Sequence, residues 1–213
     1  MDIFPEIKVE DIKELGQLEQ KLLELGYETI AGVDESGRGA WAGPLIAAAV
    51  IIPCDLKIPN LKECKQKTPL AREKLYEFIV NNCYFSVAAI SVEKIELLGL
   101  QKANLIALKE AIEKLPVKPH LVLSDGYSLP DLKFPQKALV KGDIISASIA
   151  AASIISKVTR DRIMVKLGCK FPCYKFDSNK GYGTKQHIEA INKFGPAKIH
   201  RKNFAPIKQA IIK

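Results

Sequence analysis

Near the start of the chain, Val9, Ile12, Leu15, Leu18, Leu22 and Leu23 recur every three or four positions among acids and lysines. That spacing gathers them on one stripe and predicts an amphipathic helix, with Gly26 as its terminator. The period then changes. Residues 29–35 and 45–52 are short apolar or β-branched runs on either side of a glycine-rich stretch, 37–44, which predicts two strands around a turn. Residues 69–82 return to helical spacing, with Leu75, Phe78 and Ile79 on one face; 83–92 predicts a third strand, and 100–115 a helix that stops before Pro116. Two brief apolar runs, 121–124 and 138–140, read as buried strands. Each is followed at once by a polar turn, Asp125-Gly126 and Lys141-Gly142-Asp143. Asp143 is placed to cap a long helix, 144–167, with Ala and Ile along one side and Lys157, Arg160, Asp161 and Arg162 along another.

This order of elements predicts an α/β domain, a mixed sheet flanked by helices, over residues 1–168. Residues 169–213 form a basic segment expected to pack on that core. It holds one clear helix, 184–194, capped by Thr184 and ended by Gly195-Pro196.

Composition narrows the classes. With 213 residues and 47% hydrophobic content the chain can bury a core. The longest apolar run, 45–52, stops at Pro53, well short of the roughly 20 residues that span a bilayer. No membrane segment is expected, and the acidic first ten residues lack the basic start and apolar centre of a secretory signal, which points to the cytoplasm. Five scattered cysteines without a CxxC pair suit reduced thiols, and Cys169 with Cys173 lack the second ligand pair that structural zinc requires. The net charge is +8, and its placement matters more than its size. From Lys166 onward there are eleven Lys or Arg against Asp177 and Glu189, so the excess sits in the last quarter of the chain. Such a patch fits a surface that meets a polyanion, and equally a lysine-rich soluble face.

The most unusual stretch is Asp34-Glu35-Ser36-Gly37-Arg38-Gly39. Two adjacent carboxylates end an apolar strand, where burial raises their energy unless something neutralises them. A hard divalent cation does so, and it draws oxygen ligands from several strand ends; Asp125 and Asp143, each after an apolar run and beside a glycine, meet that description. Four such acids can hold two cations and direct water at a phosphodiester. Taken one at a time, each acid is explained as well by a turn or a helix cap. Gly37-Arg38-Gly39 brings amides and a guanidinium within reach of a sugar or phosphate, or is simply a flexible turn. In Lys180-Gly181-Tyr182-Gly183-Thr184 the tyrosine can stack on a sugar or base, while Thr184 caps the next helix.

Together these motifs resemble the bacterial-type ribonuclease HII family, from about Leu15 to Phe204. Ala31-Gly32-Val33-Asp34-Glu35-Ser36-Gly37-Arg38-Gly39 with Ala42-Gly43-Pro44 is similar to the family's opening signature, and Leu123-Ser124-Asp125-Gly126 to its second acidic motif. Lys141-Gly142-Asp143, with residues 148–154 and 157–161, resembles the third; Lys180-Gly181-Tyr182-Gly183-Thr184, His187 and residues 195–204 resemble the C-terminal one. The resemblance implies a ribonuclease H-like fold and a metal-dependent endonuclease. Its reaction would be hydrolysis of the RNA strand of RNA/DNA hybrids and nicking 5′ of ribonucleotides in duplex DNA, leaving 3′-hydroxyl and 5′-phosphate ends. Asp34, Glu35, Asp125 and Asp143 would be the catalytic, metal-binding acids, with Mg2+ or Mn2+ and two ions when substrate is bound. Gly37, Arg38 and Gly39 would track the backbone around the 2′-hydroxyl, Tyr182 would pack on the adjoining deoxyribose, and Lys65 and Lys180 would complete the substrate contacts.

Three departures stand out. Glu63-Cys64-Lys65 replaces Asp-Ser-Lys, Asn179 replaces a histidine, and Ala40-Trp41 replaces Pro-Leu. The sibling type, ribonuclease HIII, normally lacks the Gly-Arg-Gly, so Arg38 favours type HII. A monomer is expected; the tail, 205–213, reads as a short closing helix without a clear docking peptide for a sliding clamp. Two rival functions remain open at this level: a non-catalytic binder using the basic segment, and a related nuclease acting on DNA junctions.

Overall fold

The structure, a computed structural model, describes residues 7–61 and 68–212. The first α-helix, α1 (Gln17–Glu24), is shorter than its periodicity predicts. Gly16 sits in a left-handed conformation at φ 91° and breaks the stripe, leaving Val9–Asp11 as a separate turn of 3-10 helix. Gly26, at φ 91°, follows the helix end as expected. The predicted hairpin is present as β1 (Ile30–Ser36) and β2 (Leu45–Ile51), followed by α2 (Pro69–Asn82), β3 (Tyr84–Ile90), α3 (Val92–Leu98) and α4 (Leu100–Glu113). Helix α3 is an addition to the pattern; Ser91 caps it by accepting from the Lys94 amide, and Gly99 at φ 77° separates it from α4. Then come β4 (Leu121–Asp125), β5 (Gln136–Leu139), α5 (Ala147–Lys170), α6 (Phe176–Asn179), α7 (Lys185–Phe194) and α8 (Ala205–Ile212).

The five strands lie in the order β3-β2-β1-β4-β5. β1 pairs antiparallel with β2 and parallel with β4, and β4 is parallel to β5, so the sheet is mixed, as expected. Alternation along β2 explains the layers. Ala47 and Ala49 face α4, packing with Ala103, Ala107 and Ala111, whereas Ala48 and Val50 face α5 and α2, packing with Ala151, Ile155 and Ile79. Alanines on both faces let the helices approach closely. At Gly32 the approach is closest: a Cβ there would lie 2.1 Å from the Ile149 nitrogen on α5, so only glycine fits.

Two expectations about α5 need correction. Its N-cap is Ser146, whose hydroxyl accepts from the Ile149 amide at 3.2 Å; Asp143 instead sits in a separate 3-10 turn, Gly142–Ile144, set off by Lys141 at φ 55°. Arg160 does not belong to a solvated side, because the C-terminal half of α5 is covered by loops and its guanidinium is fully buried. The segment after α5 packs its own apolar cluster, Tyr174, Phe176, Ile191 and Ile207, around Ala42 and Met164. Among the described residues no helix is long and apolar enough to cross a membrane, and Cys54, Cys83, Cys169 and Cys173 are free thiols.

Candidate active site

β1 is the strand at which the sheet changes direction, antiparallel on one side and parallel on the other. Ligands of open α/β sheets collect beyond the carboxyl ends of strands at such a switch point. Asp34 and Glu35 lie near that end of β1. The register Val33↔Ser124 places Asp125, the last residue of β4, on the rung beside Asp34. β5 then carries the chain to the Gly142–Ile144 turn, where the Gly142 amide donates to Asp125 Oδ1 at 2.7 Å and the buried Asp143 follows directly. Residues separated by roughly a hundred positions are thus brought to one edge.

Burial and neighbouring carboxylates raise the proton affinity of Asp34 and Glu35. Burial is the largest cause, then the Glu35 charge, with Asp125 adding more; against these work a Ser153 hydroxyl and the Glu35 amide, which donates to Asp34 Oδ1 at 2.7 Å, leaving Asp34 pushed up from 3.8 to about 7. Glu35 is raised from 4.5 to about 6, again mainly by burial, with Arg38 and the amide of Asn104 pulling it down. Its Oε2 is buried and makes no hydrogen bond among the described residues. An all-oxygen donor set with a buried anionic oxygen to spare suits a hard divalent cation. The acids do not form a closed cage: among the described residues no three His, Cys, Asp or Glu side chains converge tightly enough to enclose an ion.

Arg38 lies beside Glu35. Its Nε is 3.8 Å from Glu35 Oε1, its Nη2 donates to Gln101 Oε1 at 3.1 Å, and its guanidinium rests 4.8 Å from the Tyr127 ring centre. Tyr182 approaches from the C-terminal segment, half-buried, with Arg160 5.2 Å and Lys157 5.9 Å from its ring centre. The two loops meet backbone to backbone, since the Trp41 amide donates to the Gly181 carbonyl at 2.8 Å. Trp41 itself packs flat against Gly183, where a Cβ would fall 2.2 Å from the indole. Lys180 has its ammonium folded back on the Asp177 carbonyl. Asn179 holds that loop in shape by donating to the Tyr174 carbonyl and accepting from the Gly181 amide at 2.8 Å. Lys65 lies outside the described residues. Beside Glu35 opens a cleft of about 210 Å³, lined by Ser36, Arg72, Ser153, Ile154, Ser156 and Lys157.

Gln101, Asn104, Tyr127 and Ser153 were not foreseen as part of this site. Asn104 left a signal: it is a polar residue in the apolar stripe of a predicted helix, one turn after Gln101.

Comparison with known proteins agrees with this architecture. The ribonuclease H2 of Pyrococcus horikoshii superposes with a TM-score of 0.74 at 25% identity, over 85% of this chain and 96% of that one. The ribonuclease HII in a PCNA complex from Archaeoglobus fulgidus gives 0.72 at 25% identity, over 83% and 95%. The fold is therefore that of a ribonuclease H. The ribonuclease HII of Caldicellulosiruptor saccharolyticus is 49% identical over 189 residues, 88% of this chain and 92% of that protein. The sequence model for ribonuclease HII matches residues 31–207, and the chain belongs to the ribonuclease HII family.

Proposed function

We propose that this chain is a divalent-metal-dependent endonuclease that hydrolyses the RNA strand of RNA/DNA hybrids and nicks duplex DNA 5′ of an embedded ribonucleotide, giving 3′-hydroxyl and 5′-phosphate ends. One observation carries the reading: Asp34, Glu35 and Asp125 neighbour one another at the switch point of the sheet, with Asp143 next to the hydrogen bond that holds Asp125 and Arg38 beside Glu35.

Asp34, Glu35, Asp125 and Asp143 would hold Mg2+ or Mn2+, the spare buried oxygen of Glu35 among the donors. Bound there, such ions lower the pKa of water and offset charge on the leaving oxygen. The chain's own residues supply orientation. Gly37, Arg38 and Gly39, which follow Asp34 and Glu35 closely in the chain, would meet the ribose, and a 2′-hydroxyl is the group by which a site tells RNA from DNA. Tyr182 offers a half-buried ring for the neighbouring sugar, Lys157, Lys180 and Lys65 would meet the strand's phosphates, and the basic segment after Lys166 would hold phosphates without reading sequence.

The test is a duplex carrying one ribonucleotide, incubated with wild type and Asp34→Asn in Mg2+ and in EDTA. The expected result is a single nick 5′ of the ribonucleotide by wild type in Mg2+ alone, with the variant binding the duplex but leaving it intact. Full cleavage by Asp34→Asn, or cleavage in EDTA, overturns the proposal.

A further inference from the structure

Two arginines beneath the Gly37–Gly43 turn are wholly buried, yet neither takes part in a salt bridge among the described residues. Burying a cation without an acid is costly unless its donors are all engaged by well-placed acceptors. Here the acceptors are peptide carbonyls. Arg201 Nε and Nη2 donate to the Gly43 carbonyl at 3.1 and 2.9 Å, and its Nη1 to the Arg38 carbonyl at 3.0 Å. Arg160 donates to the carbonyls of Pro44, Ala42 and Lys180 at 3.1, 3.0 and 2.9 Å. A Cβ at Gly37 would lie 2.1 Å from Arg160 Nε, so the turn sits directly on that guanidinium.

This arrangement dictates which way the turn faces. Across a trans peptide the C=O and N–H point in opposite directions. With the Arg38 carbonyl drawn inward to Arg201, the Gly39 amide is turned outward, and Gly39 is exposed with nothing within 4 Å of a Cβ position. Arg160 also joins the two loops, because one guanidinium holds Ala42 and Pro44 of the first and Lys180 of the second while resting against Tyr182.

We infer that Arg160 and Arg201 are positioning residues for ribose recognition: their planar forks fix the outward amide of Gly39 and the ring of Tyr182 in one mutual geometry, which selects a 2′-hydroxyl beside a deoxyribose. The inference rests on the function proposed above. It excludes an ammonium as a substitute, since lysine keeps the charge but presents its donors from one point and cannot span Arg38 and Gly43.

The experiment is made in a cleavage-silent Asp34→Asn parent. Fluorescence anisotropy gives the affinity for a duplex with one ribonucleotide and for the same duplex in all-DNA form, before and after adding Arg201→Lys. The expected result is a fall of about tenfold in the ratio of the two affinities, the scale of one misdirected hydrogen bond, with all-DNA binding nearly unchanged. A purely structural role would weaken both duplexes alike and leave the ratio where it was; that result overturns the inference while the proposed function stands. A parent without ribonucleotide preference overturns both. Should Arg201→Lys fail to fold by circular dichroism, Arg160→Lys carries the same reading, and failure of both to fold marks the pair as stability elements and overturns the inference.

Discussion

The acids proposed to hold metal should destabilise the empty protein, and Asp34→Asn measures by how much. In the folded chain Asp34 titrates at about 7 in place of 3.8, because burial and the neighbouring carboxylates penalise its charge. A group whose folded pKa is raised favours the fold at acid pH, below its unfolded value, and that advantage is lost as pH climbs through the folded value. Three pKa units at 1.36 kcal/mol each amount to about 4 kcal/mol lost by pH 8. Asparagine carries no charge, and its oxygen can still accept the Glu35 amide. Weakening of the Ser153 contact costs about 1 kcal/mol, leaving a net gain of about 3 kcal/mol. At roughly 2–4 °C per kcal/mol for a chain of this size, the variant should melt about 6–12 °C above wild type at pH 8 in EDTA. The gap should narrow steadily towards pH 4, where both carry a neutral group. Adding Mg2+ should raise the wild-type midpoint and shrink the gap at pH 8, since a ligand bound only to the fold stabilises it by mass action. Melting curves by circular dichroism at pH 4, 6 and 8 check this. A variant that melts no higher than wild type at pH 8, or a gap that is independent of pH, refutes the reasoning.

Two further substitutions probe the scaffold and the turn. Gly32→Ala would drive a methyl group into the α5 backbone at Ile149 and Ser148, which cannot rotate away, so urea denaturation should show a loss of about 3 kcal/mol or more; an unchanged midpoint would disprove the tight strand–helix contact. Arg38→Ala, which removes the group bridging Glu35 and Gln101, should reduce the preference for a ribonucleotide-containing duplex more than general duplex binding, as read by competition titration; equal losses on both would argue against a junction role.

The three central strands were legible because β1, β2 and β4 are buried on both faces, so their apolar runs stand out against the polar or glycine-rich segments that follow them. Asp34 and Glu35 were legible for a related reason: charge at the end of such a run conflicts with burial, and the conflict is visible locally. Asp143 shows where the same reasoning misfires. A carboxylate before a helical run satisfies the pattern of a cap, but Lys141 in the left-handed region inserts a 3-10 turn, and the cap passes to Ser146 three residues on. Ser153 and Asn104 could not be assigned from the chain alone, because their importance lies in which strand end their helices pass over, and that is set by packing between elements far apart in sequence. The length of the first helix failed on a local matter, since Gly16 interrupts a stripe that hydrophobicity alone continues.

Arg160 is the most instructive misreading. In a helix of 24 residues an arginine among Lys157, Asp161 and Arg162 reads as solvent-facing, and near the N-terminus of α5, where the helix packs on the sheet, the apolar side is correctly assigned. Farther along, α5 meets irregular backbone, the Gly37–Pro44 turn and the Lys180–Gly183 loop. Loops packed into an interior bring carbonyls that no strand or helix satisfies, and a buried carbonyl needs a donor. A guanidinium can serve three at once, which an apolar residue cannot. The charge that appears misplaced on a helical wheel is therefore the expected residue wherever a helix supports loops instead of a sheet, and His200, Arg201 and Ala42 repeat the logic: the Ala42–His200 bridge joins chain segments from opposite ends of the sequence, with Arg201 filling the space beneath. Asp34, Glu35 and Asp125 come from the sheet, and the Gly37–Pro44 turn that follows β1 is held from α5 and the C-terminal side by two buried cations, Arg160 and Arg201.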